Sequence, residues 1–167
     1  RNIMAVTMLH HVAYRCNDAQ ETADFYTKLL GLEYYAAVSE ETVPSTGEIS
    51  PYMHIFFAMK DGSCVAFFEV PASPPMQKDP NTPEWVQHLA LQVESMEELL
   101  MRKKLLEDAG VEVIGPTNHG FCESIYFFDP NGHRTELTLH IGDEAMMERL
   151  SSTAPAMLEK WNQSKEV

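Results

Sequence analysis

Three residues of this chain have the type and setting for metal chemistry: His11, His88 and Glu136. His11 lies in the alternating stretch HHVAYRCND, His88 in QHLALQVES, and Glu136 in GHRTELTLH, four residues past Gly132. A strand repeats every two residues, so His11 shares a face with Ala13 and Arg15, opposite Val12 and Tyr14. His88 likewise shares a face with Ala90 and Gln92, opposite Leu89, Leu91 and Val93. Glu136 is flanked by Leu137 and Leu139, and a carboxylate among apolar neighbours is costly unless it is paired or bound to a cation. Two imidazoles and one carboxylate that leave positions open are the donors of a 2-His-1-carboxylate metal site. His11, His88 and Glu136 are therefore the expected ligands of a divalent ion.

The elements that must position these residues are written twice. The stretch from His10, HHVAYRCNDAQETADFYTKLLGLEY, is matched from Gln87 by QHLALQVESMEELLMRKKLLEDAGVEV. Each histidine strand ends seven residues later at a helix-starting residue, Asp18 or Ser95. Ser95 and Glu98 have capping-box spacing. Apolar stripes (Ala23, Tyr26, Leu30 and Met96, Leu99, Leu106) predict a helix of about three turns in each copy. Gly31 and Gly110 suit the left-handed position that ends a helix. Each copy closes in a hairpin, MHIFFAMK and SCVAFFEV about Asp61-Gly62, then SIYFFD and HRTELTLH about Pro130-Asn131-Gly132.

The expected fold is α+β: two tandem βαβββ units, residues 8–70 and 84–141, forming a cupped mixed sheet. Pro71, Pro74, Pro75, Pro80 and Pro83 mark a linker over 71–83. A C-terminal helical extension over 142–167 is expected to break near Pro155 and to cap the domain or serve a dimer contact. Matching positions of a duplicated unit are brought together by pseudo-symmetry, which is the reason for pairing His11 with His88.

Composition narrows the partners. The 167 residues are 44% hydrophobic and 10% aromatic, enough for a packed core. With 12 Lys and Arg against 25 Asp and Glu, the net charge of −13 repels nucleic acid and anionic membrane surfaces. No apolar run nears the roughly 20 residues that span a bilayer, and the N-terminus has no signal-peptide pattern. Cys16, Cys64 and Cys122 are widely spaced and read as buried free thiols. A cytoplasmic protein acting on a small molecule is the expectation.

From Met8 to His140 the chain resembles the vicinal oxygen chelate superfamily, which includes glyoxalase I, extradiol dioxygenases, methylmalonyl-CoA epimerase and antibiotic resistance proteins. LHHVAYRCND and VQHLALQV resemble its two His-bearing strands, and YFFDPNGHRTEL its Glu-bearing hairpin. The segment TNHGFCESIYFFDPNGHRTE is similar to the signature of single-domain extradiol ring-cleaving dioxygenases. That resemblance implies that His119 and Tyr126 contact the substrate's metal-bound oxygens or dioxygen. It implies Fe(II), with Mn, Ni, Co or Zn as alternatives, a small aromatic vicinal diol and O2 as substrates, and a homodimer.

Two departures keep other readings open. Ala66 occupies the position that matches Glu136, and Glu69 follows Gly62 by seven residues, the wrong parity for a fourth ligand. The glyoxalase-like four-ligand site is thus disfavoured. The acid–base histidine of extradiol enzymes falls on Ser63 here, and His54, on the preceding strand, has the parity to replace it. The alternative function is a lyase or isomerase stabilising an enediolate. A ligand-sequestering resistance protein is a further reading.

Overall fold

Alternating side chains and well-capped helices produce both units, and the computed structural model describes residues 5–165. The first unit runs β1 (His11–Cys16), α1 (Ala19–Asp24), a π-helical turn (Phe25–Leu29), β2 (Glu33–Thr42), β3 (Ile49–Ala58) and β4 (Cys64–Glu69). The second runs β5 (Leu89–Val93), α2 (Met96–Asp108), β6 (Ile114–Asn118), β7 (Cys122–Phe128) and β8 (Arg134–His140). α3 (Glu144–Ser164) follows. The Asp18 carboxylate accepts from the Glu21 backbone N–H at 2.7 Å, and the Ser95 hydroxyl accepts from that of Glu98 at 3.1 Å. Each cap satisfies a helix donor that would otherwise lack a partner, typically worth about 1 kcal/mol.

Each unit makes its own four-stranded mixed sheet, in the orders β1-β4-β3-β2 and β5-β8-β7-β6. The histidine strand pairs in parallel with the last strand of its unit, His11 opposite Cys64 and Ala90 opposite Glu136. Facing residues share a side of the sheet, so the register defines two faces. Val12, Tyr14, Ile55, Phe57, Val65 and Phe67 from the first sheet point inward, as do Leu91, Val93, Ile125, Phe127 and Leu137 from the second. Both sets belong to one apolar cluster, completed by Phe25, Tyr26, Leu99 and Leu106 from the helical segments. The opposite face of each sheet is turned away from that shared core.

A buried polar network fastens one unit to the other. The Tyr26 hydroxyl donates to Asp129 Oδ2 at 2.9 Å, and Asn131 Nδ2 donates to Thr22 Oγ1 at 3.2 Å. The Asn17 N–H donates to Asn131 Oδ1 at 2.8 Å. Buried polar atoms are tolerated when satisfied, and these occupy the turn Asp129-Pro130-Asn131-Gly132. The prolines over 71–83 leave that stretch without helix or strand. Arg15 Nη2 ties it down by donating to the Pro74 carbonyl at 2.6 Å.

The C-terminal expectation needs one correction. Pro155 lies inside α3, which continues through it as one helix. Proline removes one backbone donor and frees the carbonyl four residues earlier. Here the surrounding turns are exposed, so water can take that carbonyl. Among the described residues, no helix is long and apolar enough to cross a membrane. Cys16, Cys64 and Cys122 are buried and free.

Candidate metal centre

The β7–β8 hairpin and the approach to β5 carry most of the site. Across the β7–β8 pair, Tyr126 faces Glu136, and Phe128 faces Arg134. Across β5–β8, Ala90 faces Glu136. The outward face of the second sheet therefore holds His88, Arg134, Glu136 and Tyr126. Glu136 is only 6% exposed, as expected for a carboxylate set among leucines.

His88 Nε2 lies 3.0 Å from Glu136 Oε2. His88 Nδ1 is 3.0 Å from the Val86 carbonyl, and a carbonyl can only accept, so Nδ1 carries the proton. A neutral imidazole in that tautomer points the Nε2 lone pair at a carboxylate oxygen. Two acceptors in contact require a proton shared between Nε2 and the carboxyl, or a metal ion. The tautomer set by a backbone carbonyl is also the one that presents Nε2 to a metal. His88 and Glu136 thus fit as two donors of a divalent ion.

The third expected ligand is elsewhere. His11 lies on the outward face of the first sheet, its Nδ1 2.8 Å from His10 Nδ1 and its ring edge-on to Phe56. Among the described residues, no three His, Cys, Asp or Glu side chains come close enough to hold a metal. The reason lies in packing: both sheets give their apolar faces to one core, which keeps His11 out of the His88–Glu136 group. Among the described residues, His11 is not brought together with His88 and Glu136.

His119 and Tyr126 do meet. His119 follows β6, its N–H held by the Cys122 carbonyl at 2.8 Å, and its Nε2 lies 2.7 Å from the Tyr126 hydroxyl. Burial, and then the charge of Glu136, push the Tyr126 pKa upward, which keeps its hydroxyl a donor. His54 stays with His11: its ring stacks on Phe68 at 3.5 Å, and its buried Nε2 has no hydrogen-bond partner. Burial, and then proximity to His11, lower the His54 pKa.

Glu69 faces inward opposite Cys16, and its Oε2 accepts from the Ala19 N–H at 2.7 Å. It serves the start of α1, while Ala66 occupies the His11 face. Ser63 is buried and donates to Asp61 Oδ1 at 2.5 Å. One site-face residue escaped the sequence reading. Arg134 precedes Glu136 by two on β8, and period-two parity was the signal that could have found it.

Comparison with known proteins shows the family of the chain. The family model for the Glyoxalase/Bleomycin resistance protein/Dioxygenase superfamily matches residues 8–137. The chain is 30% identical to the glutathione transferase FosA of Serratia marcescens, over 82% of each protein. It is 28% identical to MhqA of Bacillus subtilis strain 168, provisionally named a ring-cleaving dioxygenase, over 81% of this chain. The chain spans only 41% of the length of MhqA. Among solved structures it is similar, with a TM-score of 0.58 and 23% identity, to a variant of the fosfomycin resistance protein FosX from Listeria monocytogenes complexed with Mn(II) and 1S,2S-dihydroxypropylphosphonic acid. That match covers 87% of this chain and 98% of FosX. Since the matched span takes in both βαβββ units, the His88–Glu136 pair and His11, the chain belongs to the glyoxalase/bleomycin resistance protein/dioxygenase superfamily.

Proposed function

We propose that this protein is a metal-dependent enzyme of the extradiol type, acting on a small molecule with two adjacent oxygens, in the simplest case a catechol. The observation that carries the reading is the 2.7 Å contact between His119 and Tyr126 on the face that holds Glu136. A substrate that gives up protons from adjacent hydroxyls needs a positioned acceptor and a donor beside the developing charge. His119 supplies the acceptor and Tyr126 the donor. The ion, Fe(II) in this reading, would supply Lewis acidity and a place for oxygen when bound.

The ligand set is completed by a second copy of the chain. His11 and His54 lie on one outward face, and His88, Glu136, Tyr126 and His119 on another, and each set lacks what the other has. A homodimer that apposes the first unit of one protomer to the second unit of its partner would unite them. His54, with its unpartnered Nε2, would then face the substrate from across the interface.

A second reading rests on a different observation. FosA matches over most of both chains, which favours a transferase or lyase in which the ion only polarises the substrate. Oxygen uptake by anaerobically iron-loaded protein, screened over catechols, separates the two. Uptake with ring-cleaved product supports the dioxygenase, whereas metal-dependent turnover without oxygen consumption transfers the site to the second reading.

A further inference from the structure

Among the described residues, Arg134 of the site face has no ion-pair partner, and only the Tyr126 ring faces its charge. It shares the outward face with Glu136, and its guanidinium carbon lies 4.6 Å from the centre of the Tyr126 ring. Its Nε is buried without a hydrogen-bond partner. Among the described residues, no carboxylate lies within 4.0 Å of its guanidinium. That is unexpected in a chain with 25 acidic and 12 basic residues. The neighbouring donors are already engaged: Lys78 pairs with Glu84 at 2.8 Å, and His133 Nε2 lies 2.6 Å from the Arg15 carbonyl. A cavity of about 730 Å³, lined by the linker and the β7–β8 turn, opens beside Arg134, His88 and Phe128.

A buried guanidinium donor without a partner costs free energy, and an anion with two or three oxygens is what its planar fork fits. We propose that Arg134 binds the anionic group of the substrate, a carboxylate or phosphonate, so that the protein acts on a small organic acid. The ring of such a ligand would lie along Phe128, with its other end towards His88. The orientation of the ligand rests on the functional reading above; the anion site itself does not.

The test therefore uses metal-free protein and probes without adjacent oxygens. Benzoate, phenylphosphonate and neutral phenol are titrated at low salt, followed by the fluorescence of Trp85, which lies between the cavity-lining residues Glu84 and Val86. At least one of the two anions should bind at least about tenfold more tightly than phenol, and weaken as salt is added. Whichever anion binds more tightly identifies the carboxylate or the phosphonate as the group recognised. Arg134→Gln should weaken the preferred anion at least about tenfold and leave phenol unchanged. Arg134→Lys, which keeps the charge, should retain part of the binding and guards against a misfolded glutamine variant. The proposal is overturned if neither anion binds, if phenol binds as well as both, or if Arg134→Gln binds the anions like wild type. Because the titration uses metal-free protein, failure here leaves the ring-cleavage reading standing, and absent oxygen uptake leaves the anion site standing.

Discussion

His119 Nε2 and the Tyr126 hydroxyl, seven residues apart in sequence, lie 2.7 Å from each other beside Glu136. Their contact comes from the β6–β7 hairpin: β6 ends at Asn118, and the His119 N–H is caught by the Cys122 carbonyl as the chain turns back. Neither side chain is needed for the core, since both lie on the outward side. Their removal should therefore be read in chemistry before stability.

We expect His119→Ala and Tyr126→Phe each to lower turnover about 10²–10⁴-fold, the usual loss for a positioned proton-transfer group. Metal content and melting temperature should stay near wild type. Steady-state kinetics on the substrate found by the uptake screen, with metal analysis of the same samples, decides the point. Full activity in both variants would remove the extradiol reading of this segment.

A divided ligand set makes a prediction about mixtures. His11→Ala and Glu136→Gln should each lose metal and activity when alone. Unfolded together and refolded as a mixture, they should regain about a quarter of the wild-type sites, because half the dimers are mixed and each holds one intact site. If all ligands came from one chain, mixing would restore nothing. His88→Ala should be rescued by His11→Ala but not by Glu136→Gln, because His88 and Glu136 belong to one protomer's contribution.

Strand parity made much of this legible in the sequence. Alternation placed His11 opposite Val12 and Tyr14, and set His88 apart from the inward Leu89, Leu91 and Val93, as the structure has them. It also turned Glu69 away from the metal face. Parity cannot say which sheet faces meet, because that depends on side chains far apart in sequence. Phe25 packs with Phe127 at 6.1 Å between ring centres, and contacts of this kind join the two units through their inward faces. Pro155 does not break α3 as its sequence suggests, because α3 buries none of its residues and water can take the freed carbonyl.

Glu69→Gln should leave metal stoichiometry unchanged and cost roughly 1 kcal/mol of stability. The charged acceptor of the Ala19 N–H becomes a neutral one at the positive end of α1. Chemical denaturation and metal analysis read both quantities. Loss of metal with intact stability would make Glu69 a ligand after all and favour the lyase reading.

The lock between the units is open to a single-atom test. Tyr26 is fully buried and Asp129 is 5% exposed, and the Tyr26 hydroxyl donates to Asp129 Oδ2. Tyr26→Phe keeps the ring but leaves that oxygen short of a donor, a loss of roughly 1–3 kcal/mol. Denaturant unfolding should show the midpoint falling with the slope unchanged. A midpoint equal to wild type would mean that Asn131 Nδ2 alone satisfies Asp129 Oδ2.

Alkaline pH should weaken the fold through Cys16. Burial pushes its thiol pKa from 9.0 up to about 11, with hydrogen bonding to Thr22 opposing and nearby carboxylates adding to the rise. The folded state thus favours the neutral thiol. Below pH 9 both states hold the proton and the contribution is complete. Between about 9 and 11 only the unfolded chain ionises, so stability falls as pH rises, by at most roughly 2–3 kcal/mol from this group. Tyr26, whose pKa is also raised by burial, adds a second fall in the same direction at higher pH. Cys16→Ala should remove the Cys16 share, flattening the stability profile between pH 9 and 11 while lowering it throughout for the lost packing. Parallel profiles for wild type and variant would show that the buried thiol is not what the alkaline transition titrates.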